Sequence, residues 1–325
     1  MAAILSRKKR CEKPLHECGV WQKRAVCSRS MRASRPRRVR FVIAFVGGAL
    51  VLTIGAVRVL RSHDGRLHIP NLTGTLSADA YAALAVQGWA PTSLAVAPGI
   101  TLNGLVRRPS APDAPWVLFY SGNDQTPLAT ARTFLERLRE GHDWGLATYA
   151  YRGYDSSGGS PSREPMTEDA KRILGSLLEQ EHLSPSRLHL VAFSFGGYFA
   201  VRVAGAAALA HESVASVSLL AGALDVELVP RSREWAASVI PGDVYQTLPW
   251  LDAVPAPVLV LQGDADTTTL PEHGRAIAAR LGSRAQYVEL PGVGHPELLG
   301  SEAAVAAVRR QIESTSLSSP EGTAR

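Results

Sequence analysis

The sequence predicts an α/β protein built on a mostly parallel, doubly wound β-sheet. From Trp116 onward, short apolar runs alternate with longer segments of helical periodicity. Runs that are apolar throughout are typical of strands buried on both faces, and the intervening helices supply that cover. The chain has 325 residues, of which 46% are hydrophobic, so it is long enough to bury one large core.

The predicted elements follow one another along a single domain at 89–313. Two strand-like runs around the sequence PGITLNG predict a hairpin at the start of this domain. The predicted strands that follow span 116–120, 146–151, 188–193, 214–220, 258–261 and 286–290. The predicted helices span 128–140, 168–182, 195–209, 271–281 and 297–313. Within the domain, residues 225–252 are long enough to form a small cap.

The segments on either side of the domain differ from it in composition. Residues 1–62 hold 15 lysines and arginines against 2 acids, whereas the other 263 residues hold 20 against 27. The domain is therefore mildly acidic, and no nucleic-acid partner is expected. Residues 61–88 are predicted to be a linker with a short helix at 77–87. The serine-rich tail at 314–325 is predicted to be disordered.

Residues 39–60 are predicted to anchor the chain in a membrane. Their central stretch, 41–57, carries no charge, and as a helix it would be about 25 Å long before the flanking apolar residues are added. Because 13 lysines and arginines precede this stretch, the positive-inside rule places residues 1–38 in the cytoplasm and the domain outside it. The alternatives are a cleaved signal peptide, which would give a secreted protein, and a buried helix of a soluble protein.

The cysteines are confined to the basic segment, at Cys11, Cys18 and Cys27. With only His16 nearby, their spacing matches no common zinc pattern, so no metal is expected. The predicted domain has no cysteine, and any nucleophile there must be a different residue.

The segment LVAFSFGGYFA places a serine where a predicted strand turns into a predicted helix. Residues 192–196 match the G-x-S-x-G motif, with Ala192 at its first position. The tight turn in this motif requires small residues two positions before and after Ser194, and Gly196 is the second of them. The helix N-terminus offers N–H groups to a developing oxyanion. The motif alone does not distinguish a nucleophile from an ordinary helix N-cap.

An acid and a histidine follow at the ends of two later strands. The loop QGDADTTTLP holds Asp264 and Asp266, and the segment VGHPELL holds His295. A serine nucleophile needs a base, and the base needs a carboxylate to orient it. Open α/β sheets place their sites at the carboxyl ends of strands. We therefore predict Ser194 as nucleophile, His295 as general base and an acid of this loop, Asp266 or Asp264, as orienting acid.

With these motifs, the chain resembles an α/β-hydrolase over roughly residues 90–313. The resemblance is closest to the serine hydrolases of the serine aminopeptidase S33 and ABHD13/BEM46-like branch. It is carried by the stretches VLFYSGNDQT, TYAYRGYDSSGGSPS, LVAFSFGGYFA, VLVLQGDADTTTLPEHGRAIAARL and GVGH. It implies the α/β-hydrolase fold and the hydrolysis of a small-molecule acyl ester through an acyl-enzyme, with no cofactor and no metal.

The resemblance also assigns supporting residues. It implies Asp266 rather than Asp264 as the orienting acid, because Asp266 matches the family's G-x-x-D spacing from Gly263. A minority of such enzymes take the acid from the preceding strand, where Asp225 stands. The oxyanion hole would consist of the backbone N–H groups of Phe195 and Asn123.

Two loops and a set of aromatic residues complete the sequence-based expectations. Residues 152–154 match the family's Arg-Gly-Tyr, which shapes the loop beside the nucleophile. Residues 121–122 are Ser-Gly where the family has His-Gly, and this is a departure. In the cap region, Trp235, Tyr245 and Trp250 are expected either to line an acyl pocket or to form the core of the cap.

The substrate class is left open by these patterns. An aminopeptidase or an acyltransferase would use the same triad, and a hydrolase-fold protein that binds without reacting is the remaining alternative.

Overall fold

A computed structural model describes residues 66–68, 78–83, 88–210, 213–229 and 243–317. The predicted basic segment at 1–38 and the predicted anchor at 39–60 lie outside the described residues. In the part of the chain that is described, no helix is long and apolar enough to cross a membrane.

Two β-sheets are formed by the described residues. The strands, in chain order, are β1 (Arg66–His68), β2 (Ala90–Ala97), β3 (Ile100–Arg107), β4 (Trp116–Tyr120), β5 (Gly145–Tyr149), β6 (Leu188–Phe193), β7 (Ser216–Leu220), β8 (Asp225–Val229), β9 (Asp243–Gln246), β10 (Val258–Gly263) and β11 (Ala285–Leu290). Eight of them form one sheet in the order β11-β10-β7-β6-β4-β5-β3-β2, and β1, β8 and β9 form the other. In the larger sheet, β2 and β3 form the predicted antiparallel hairpin and β3 pairs antiparallel with β5. The other neighbours are parallel.

The helices alternate with the strands of the larger sheet. They are α1 (Ala78–Ala83), α2 (Pro127–Arg139), α3 (Arg163–Gln180), α4 (Gly196–Leu209), α5 (Pro271–Leu281), α6 (Glu297–Gly300) and α7 (Glu302–Leu317). Helix α2 contacts α7, whereas α3 contacts α4, and the 3-10 helix Leu248–Ala253 contacts α4 and α5. Strands β4 to β7 and β10 are buried along their whole length, so both faces of the sheet are covered. This confirms the predicted mostly parallel, doubly wound sheet.

The parallel strands define where the chemistry can lie. Ser194, Asp266 and His295 follow β6, β10 and β11. Because these strands are parallel within one sheet, their carboxyl ends meet at the same edge. The order of the elements therefore brings three distant parts of the chain to one place.

The N-terminal linker is more ordered than predicted. Within the segment expected to be a linker, at 61–88, strand β1 pairs in parallel with β8, and its Arg66 lies opposite Glu227. Backbone pairing with a distant strand is not visible in local composition, which explains why this strand was missed. Of the helix predicted at 77–87, residues 78–83 are helical and 84–87 lie outside the described residues.

The C-terminal helix differs from the prediction at both of its ends. The single helix predicted at 297–313 is interrupted at Ser301, whose backbone is extended. The hydroxyl and carbonyl oxygens of Ser301 accept hydrogen bonds from the N–H groups of Ala304 and Val305, so Ser301 caps the start of α7.

The tail predicted to be disordered at 314–325 is helical as far as Leu317. The hydroxyls of Thr315 and Ser316 donate to the carbonyls of Gln311 and Ile312, each at 2.7 Å, and thereby satisfy their own polar groups within the helix. Residues 318–325 lie outside the described residues.

Candidate active site

Ser194 occupies a strained turn between β6 and α4. Its φ angle is +52°, in the left-handed region that residues other than glycine rarely adopt. Two backbone hydrogen bonds hold this conformation: the N–H of Ser194 donates to the carbonyl of Leu220 at 2.8 Å, and the N–H of Gly197 donates to the carbonyl of Ser194 at 3.0 Å. The turn projects the side chain of Ser194 above the carboxyl edge of the sheet, as predicted from the G-x-S-x-G pattern.

The small residue after the serine is required by a close backbone approach. A Cβ atom at Gly196 would overlap the carbonyl oxygen of Tyr120 and lie 2.7 Å from that of Ser121. No side chain can fit there unless β4 moves. Ala192, at the first position of the motif, is fully buried. The small residues of the motif are thus required because a larger side chain at this turn would clash with neighbouring backbone.

The structure brings Ser194, His295 and Asp266 into one hydrogen-bonded chain. Nε2 of His295 lies 3.0 Å from Oγ of Ser194, and Nδ1 of His295 lies 2.7 Å from Oδ2 of Asp266. Ser194 and Asp266 are 5% and 2% exposed, so both polar groups are shielded from bulk water. All three residues therefore have the relative positions that nucleophile, base and orienting acid require.

Asp266 is held as a carboxylate by four donors. Its Oδ1 accepts the N–H groups of Thr268 and Thr269, each at 2.8 Å, and its Oδ2 accepts Nε2 of Gln262 at 3.2 Å in addition to His295. Burial alone would raise the pKa of Asp266, but the hydrogen bonds from His295 and the two threonine N–H groups hold it below the usual value. An ionised Asp266 only accepts hydrogen bonds, so Nδ1 of His295 carries the proton and Nε2 is free to accept the hydroxyl proton of Ser194.

The alternative acids lie elsewhere. Oδ1 of Asp264 accepts the N–H of Gly292 at 2.6 Å, which ties the loop after β10 to the loop after β11. Asp225 begins β8, where burial raises its pKa against the opposing effect of His273. Within the part of the chain that the structure describes, neither carboxylate is hydrogen-bonded to His295.

The loops after β4 and β5 form the other side of the site. Gly122 and Asn123 line a cleft beside Ser194, and a Cβ atom at Gly122 would lie 3.5 Å from that of Ser194. The hydroxyl of Tyr154 donates to Oδ1 of Asn123 at 2.6 Å, so the Arg-Gly-Tyr loop supports this residue. Phe195 is the N-cap residue of α4, and its ring is buried. The oxyanion role of the backbone N–H groups of Asn123 and Phe195 stays a prediction.

A cleft of about 730 Å³ opens onto Ser194 and His295. Its walls are mostly apolar and include Phe119, Phe134 and Leu299. A volume of this size is typical of small-molecule sites, in which an apolar lining surrounds a few convergent polar groups.

The structure bears on the two roles predicted for the cap aromatics: Tyr245 is buried, as the core alternative predicted, whereas Trp250 matches neither alternative. Tyr245 is fully buried, and its ring packs edge-on against Phe195 at a centroid distance of 4.9 Å. Trp250 is 41% exposed and stacks on the guanidinium of Arg202 at 3.5 Å. Neither lines the cleft, because β9 and the following 3-10 helix contact α3 and α4 rather than the site. Trp235 lies outside the described residues.

Sequence reasoning missed two contributors to the site. Gln262 donates to Asp266, and its signal was a polar residue at the end of the otherwise apolar run VLVLQG. The ring of Phe193 lies 4.8 Å from that of His295 and covers one side of the imidazole.

Asp155, a buried acid in the loop after β5, was also missed; it holds the start of α2 and does not line the cleft. Its Oδ2 accepts the N–H of Leu128 at 2.8 Å, at the start of α2. Its Oδ1 is buried and has no hydrogen-bond partner among the described residues. Burial and, to a smaller extent, the nearby carboxylate of Asp124 raise the pKa of Asp155 to about 6, although the bond from Leu128 opposes the shift. The burial of Asp155 could not be predicted from the sequence, because an aspartate in a glycine-rich loop is expected to be exposed to solvent.

Comparison with known proteins agrees with this architecture. Residues 239–323 match an α/β-hydrolase family model described as "TAP-like protein". Uncharacterised proteins from two strains of Mycobacterium tuberculosis are 30% identical over 183 residues, which cover 54% of this chain and 63% of each relative. The human alpha/beta hydrolase domain-containing protein 17C is 24% identical over 192 residues, 58% of this chain and 55% of that protein. The chain thus matches less than two thirds of the length of these relatives.

Solved structures share the fold at low sequence identity. An α/β-hydrolase from Vibrio vulnificus superposes with a TM-score of 0.57 and 21% identity, covering 70% of this chain and 81% of that one. An esterase from Pyrococcus furiosus superposes with a TM-score of 0.58 and 12% identity, covering 76% of this chain and 99% of that one. The chain is a member of the α/β-hydrolase superfamily. Its place in the S33 and ABHD13/BEM46-like branch stays a prediction.

The buried Asp155 predicts a specific pH dependence of stability. Its folded-state pKa, about 6, lies above the ordinary value of 3.8, so the stabilisation from the protonated form is complete below 3.8 and is lost as the pH rises through about 6. Asparagine is neutral at every pH and keeps an oxygen for the N–H of Leu128. In thermal unfolding scans, Asp155→Asn should raise Tm by roughly a few degrees relative to the wild type near pH 8 and lose that advantage near pH 4.

Asp266→Asn is the matched comparison because the pKa shift of Asp266 has the opposite sign. Its carboxylate stabilises the fold above the ordinary value of 3.8, and this contribution is lost as the pH falls through the lower folded-state pKa. The wild type should therefore exceed Asp266→Asn in Tm near pH 8, and the gap should narrow towards pH 3. Parallel Tm curves for the wild type and Asp155→Asn across this range would contradict the account of Asp155.

Proposed function

We propose that the protein is a serine hydrolase that cleaves ester-type acyl substrates through an acyl-enzyme on Ser194. The observation that carries the proposal is the placement of one imidazole between two partners. Nε2 of His295 lies 3.0 Å from Oγ of Ser194, and Nδ1 lies 2.7 Å from Oδ2 of Asp266. A buried serine whose hydroxyl faces an oriented histidine, at the end of an apolar cleft, is the arrangement that acyl transfer needs.

The proposed reaction has two halves. In the first, Oγ of Ser194 bonds to the substrate carbonyl carbon while its proton moves to Nε2 of His295, and Asp266 stabilises the imidazolium. The oxyanion receives hydrogen bonds from the backbone N–H groups of Phe195 and Asn123. The carbon–oxygen bond to the leaving alcohol then breaks, and the alcohol takes the proton from His295. In the second half, water attacks the acyl-enzyme with His295 as base, the carboxylic acid leaves and Ser194 regains its proton.

A protein of this fold that binds without reacting differs from the proposed hydrolase in one observable. A fluorophosphonate probe forms a covalent bond only with an activated serine. Stoichiometric labelling of the full-length protein at Ser194 supports the hydrolase, and a protein that binds the probe reversibly without labelling would be a binding protein.

Replacing the nucleophile is the first kinetic test. Ser194→Ala removes the only atom that would bond to the acyl group, so kcat/KM for p-nitrophenyl esters should fall by roughly 10⁴-fold or more. Ser218→Ala is the matched control, because Ser218 is a buried serine on the adjacent β7 whose hydroxyl has no hydrogen-bond partner among the described residues. Retention of most activity by Ser194→Ala, with Tm unchanged, would refute the proposal.

The orienting acid is tested by three single substitutions to asparagine. Asp266→Asn should lower kcat/KM by at least about 10²-fold and as much as about 10⁴-fold, because an amide no longer favours the required tautomer of His295. Asp264→Asn and Asp225→Asn should keep most activity, since their carboxylates contact other groups. The comparison is made at one pH with the same ester. If Asp225→Asn were inactive and Asp266→Asn remained active, the orienting acid would be Asp225, at the start of the earlier strand β8.

We further propose that residues 39–60 anchor the chain and place the hydrolase domain outside the cytoplasm. The proposal is supported by the uncharged stretch at 41–57 and by the lysines and arginines that precede it. Topology reporters fused after Ser34 and after Ser62 test it. We expect the fusion after Ser34 to report the cytoplasm and the fusion after Ser62 to report the opposite side. A cytoplasmic signal from both would overturn the proposed orientation.

Membrane fractionation then separates an anchor from a cleaved signal. An anchored chain stays in the membrane fraction at full length. A shortened chain in the soluble extracytoplasmic fraction would instead identify a secreted protein.

A further inference from the structure

The cleft beside Ser194 continues along one face of α2. Residues Ala129, Thr130, Thr133, Phe134 and Arg137 line it, and their spacing of three to four residues places them along one side of the helix. Helix α2 begins just after the loop that carries Asn123, next to Ser194. The cleft therefore runs from the nucleophile towards the C-terminal end of α2.

The opposite wall is formed by α6, which begins two residues after His295. Leu299 and Gly300 of this helix line the cleft. Phe134 of α2 packs against Phe119 of β4 with ring centroids 5.3 Å apart, and both rings contribute to the lining. The space between the two helices is therefore an apolar passage that starts at the reacting atoms.

A charged pair lies at the far end of this passage. The guanidinium of Arg137 donates to the carboxylate of Glu302, at the start of α7. A Cβ atom at Gly300 would lie 3.7 Å from Nη1 of Arg137, so the guanidinium sits directly against the end of α6. The pair thus connects α2 with the junction of α6 and α7, and Arg137 is the member of the pair that lines the cleft.

The backbone beneath this pair is also held in place. The guanidinium of Arg309, on α7, donates to the carbonyls of Arg137 and Leu138. These two bonds satisfy carbonyls in the last turn of α2 and tie it to α7. The side chain of Arg137 thus projects from a fixed backbone. The side chains of Arg137 and Glu302 are 32% and 82% exposed, so the ion pair is a surface contact that can be removed without disturbing the core.

The length of the passage follows from helix geometry. Thr130 and Arg137 are seven residues apart, which corresponds to about 10 Å along the helix axis. An extended hydrocarbon chain advances about 1.25 Å per carbon, given carbon–carbon bonds of about 1.52 Å. The part of the passage that runs along α2 between these two residues therefore accommodates about eight carbons of an extended chain.

We propose that the Arg137–Glu302 pair is the end wall of the substrate cleft and limits the hydrolase to esters whose apolar chain has about eight carbons or fewer. The inference rests on the proposed function, because the passage begins at Ser194. A chain that fits gains apolar contact with Phe134 and Leu299 for each added carbon. A longer chain meets a guanidinium and a carboxylate that would have to separate, and an alkyl group offers neither charge a replacement partner. Arg137 is therefore a residue that determines specificity.

The inference is tested with two series of esters on the full-length protein. In one series, p-nitrophenyl esters carry acyl chains of two to sixteen carbons, and in the other, alkyl acetates carry alcohol chains of the same lengths. The series in which kcat/KM depends on length identifies the part of the substrate that occupies the passage. In that series, kcat/KM should rise by up to about fourfold per methylene to about eight carbons and then fall.

Substitutions at the end wall should move this limit. Arg137→Ala shortens the side chain that closes the passage, so the ratio of kcat/KM at twelve carbons to that at eight should rise by about tenfold. Glu302→Ala removes the exposed partner and should shift the ratio in the same direction by a smaller factor. Arg139→Ala is the matched control, because Arg139 lies on the same helix and pairs with Asp143 at 2.8 Å but does not line the cleft. Its length profile should be that of the wild type.

Fluorophosphonate labelling of each variant distinguishes the two ways in which the inference can fail. A wild type that is labelled at Ser194 but shows no break in kcat/KM up to sixteen carbons in either series refutes the length limit alone. The same holds if labelled Arg137→Ala and Glu302→Ala both keep the wild-type profile. A wild type that is neither labelled nor active on any ester refutes the proposed function, and the length limit is refuted with it.

Discussion

The two hydrogen bonds of His295 are the interaction on which the site depends. A serine hydroxyl is a weak nucleophile until a neutral nitrogen can take its proton, and only one tautomer of the imidazole presents that nitrogen to Ser194. Asp266 selects this tautomer by accepting the proton on Nδ1 at 2.7 Å. Three N–H donors from Gln262, Thr268 and Thr269 keep Asp266 ionised in a buried position. The reactivity proposed for Ser194 thus depends on the hydrogen bonds that the protein donates to the carboxylate of Asp266.

The fold supplies this arrangement through close approaches between loops. A Cβ atom at Gly263 would overlap the carbonyl oxygen of Val293, and that oxygen also accepts the N–H of Ala265 at 3.1 Å. Asp264 adds a bond to the N–H of Gly292. The loops that carry Asp266 and His295 are therefore joined by their backbones, and the distance between these two residues does not depend on flexible side chains. Gly196 has the same role where the serine turn meets β4.

Much of this could be predicted from the sequence because the relevant signals are local. Strands buried on both faces are apolar throughout, and such runs are recognisable in the sequence. The turn around Ser194 needs small residues within two positions of it, and this spacing is recognisable too. Strand β1 and the burial of Asp155 were not predicted. Each of these depends on a partner far along the chain, such as β8 for the first and Leu128 for the second. The partners of the Arg137–Glu302 pair are 165 residues apart, so this contact could not be predicted from local sequence either.

Detection of the acyl-enzyme is the most direct test of the account. The full-length protein would be mixed with a p-nitrophenyl ester, quenched in acid during the first turnover and measured by intact-mass and peptide-mapping mass spectrometry. The account predicts one acyl group per chain on the peptide that contains Ser194, no adduct in Ser194→Ala, and loss of the adduct at the rate of steady-state turnover. Continued turnover with the acyl group on another residue, or an equal adduct in Ser194→Ala, would contradict it.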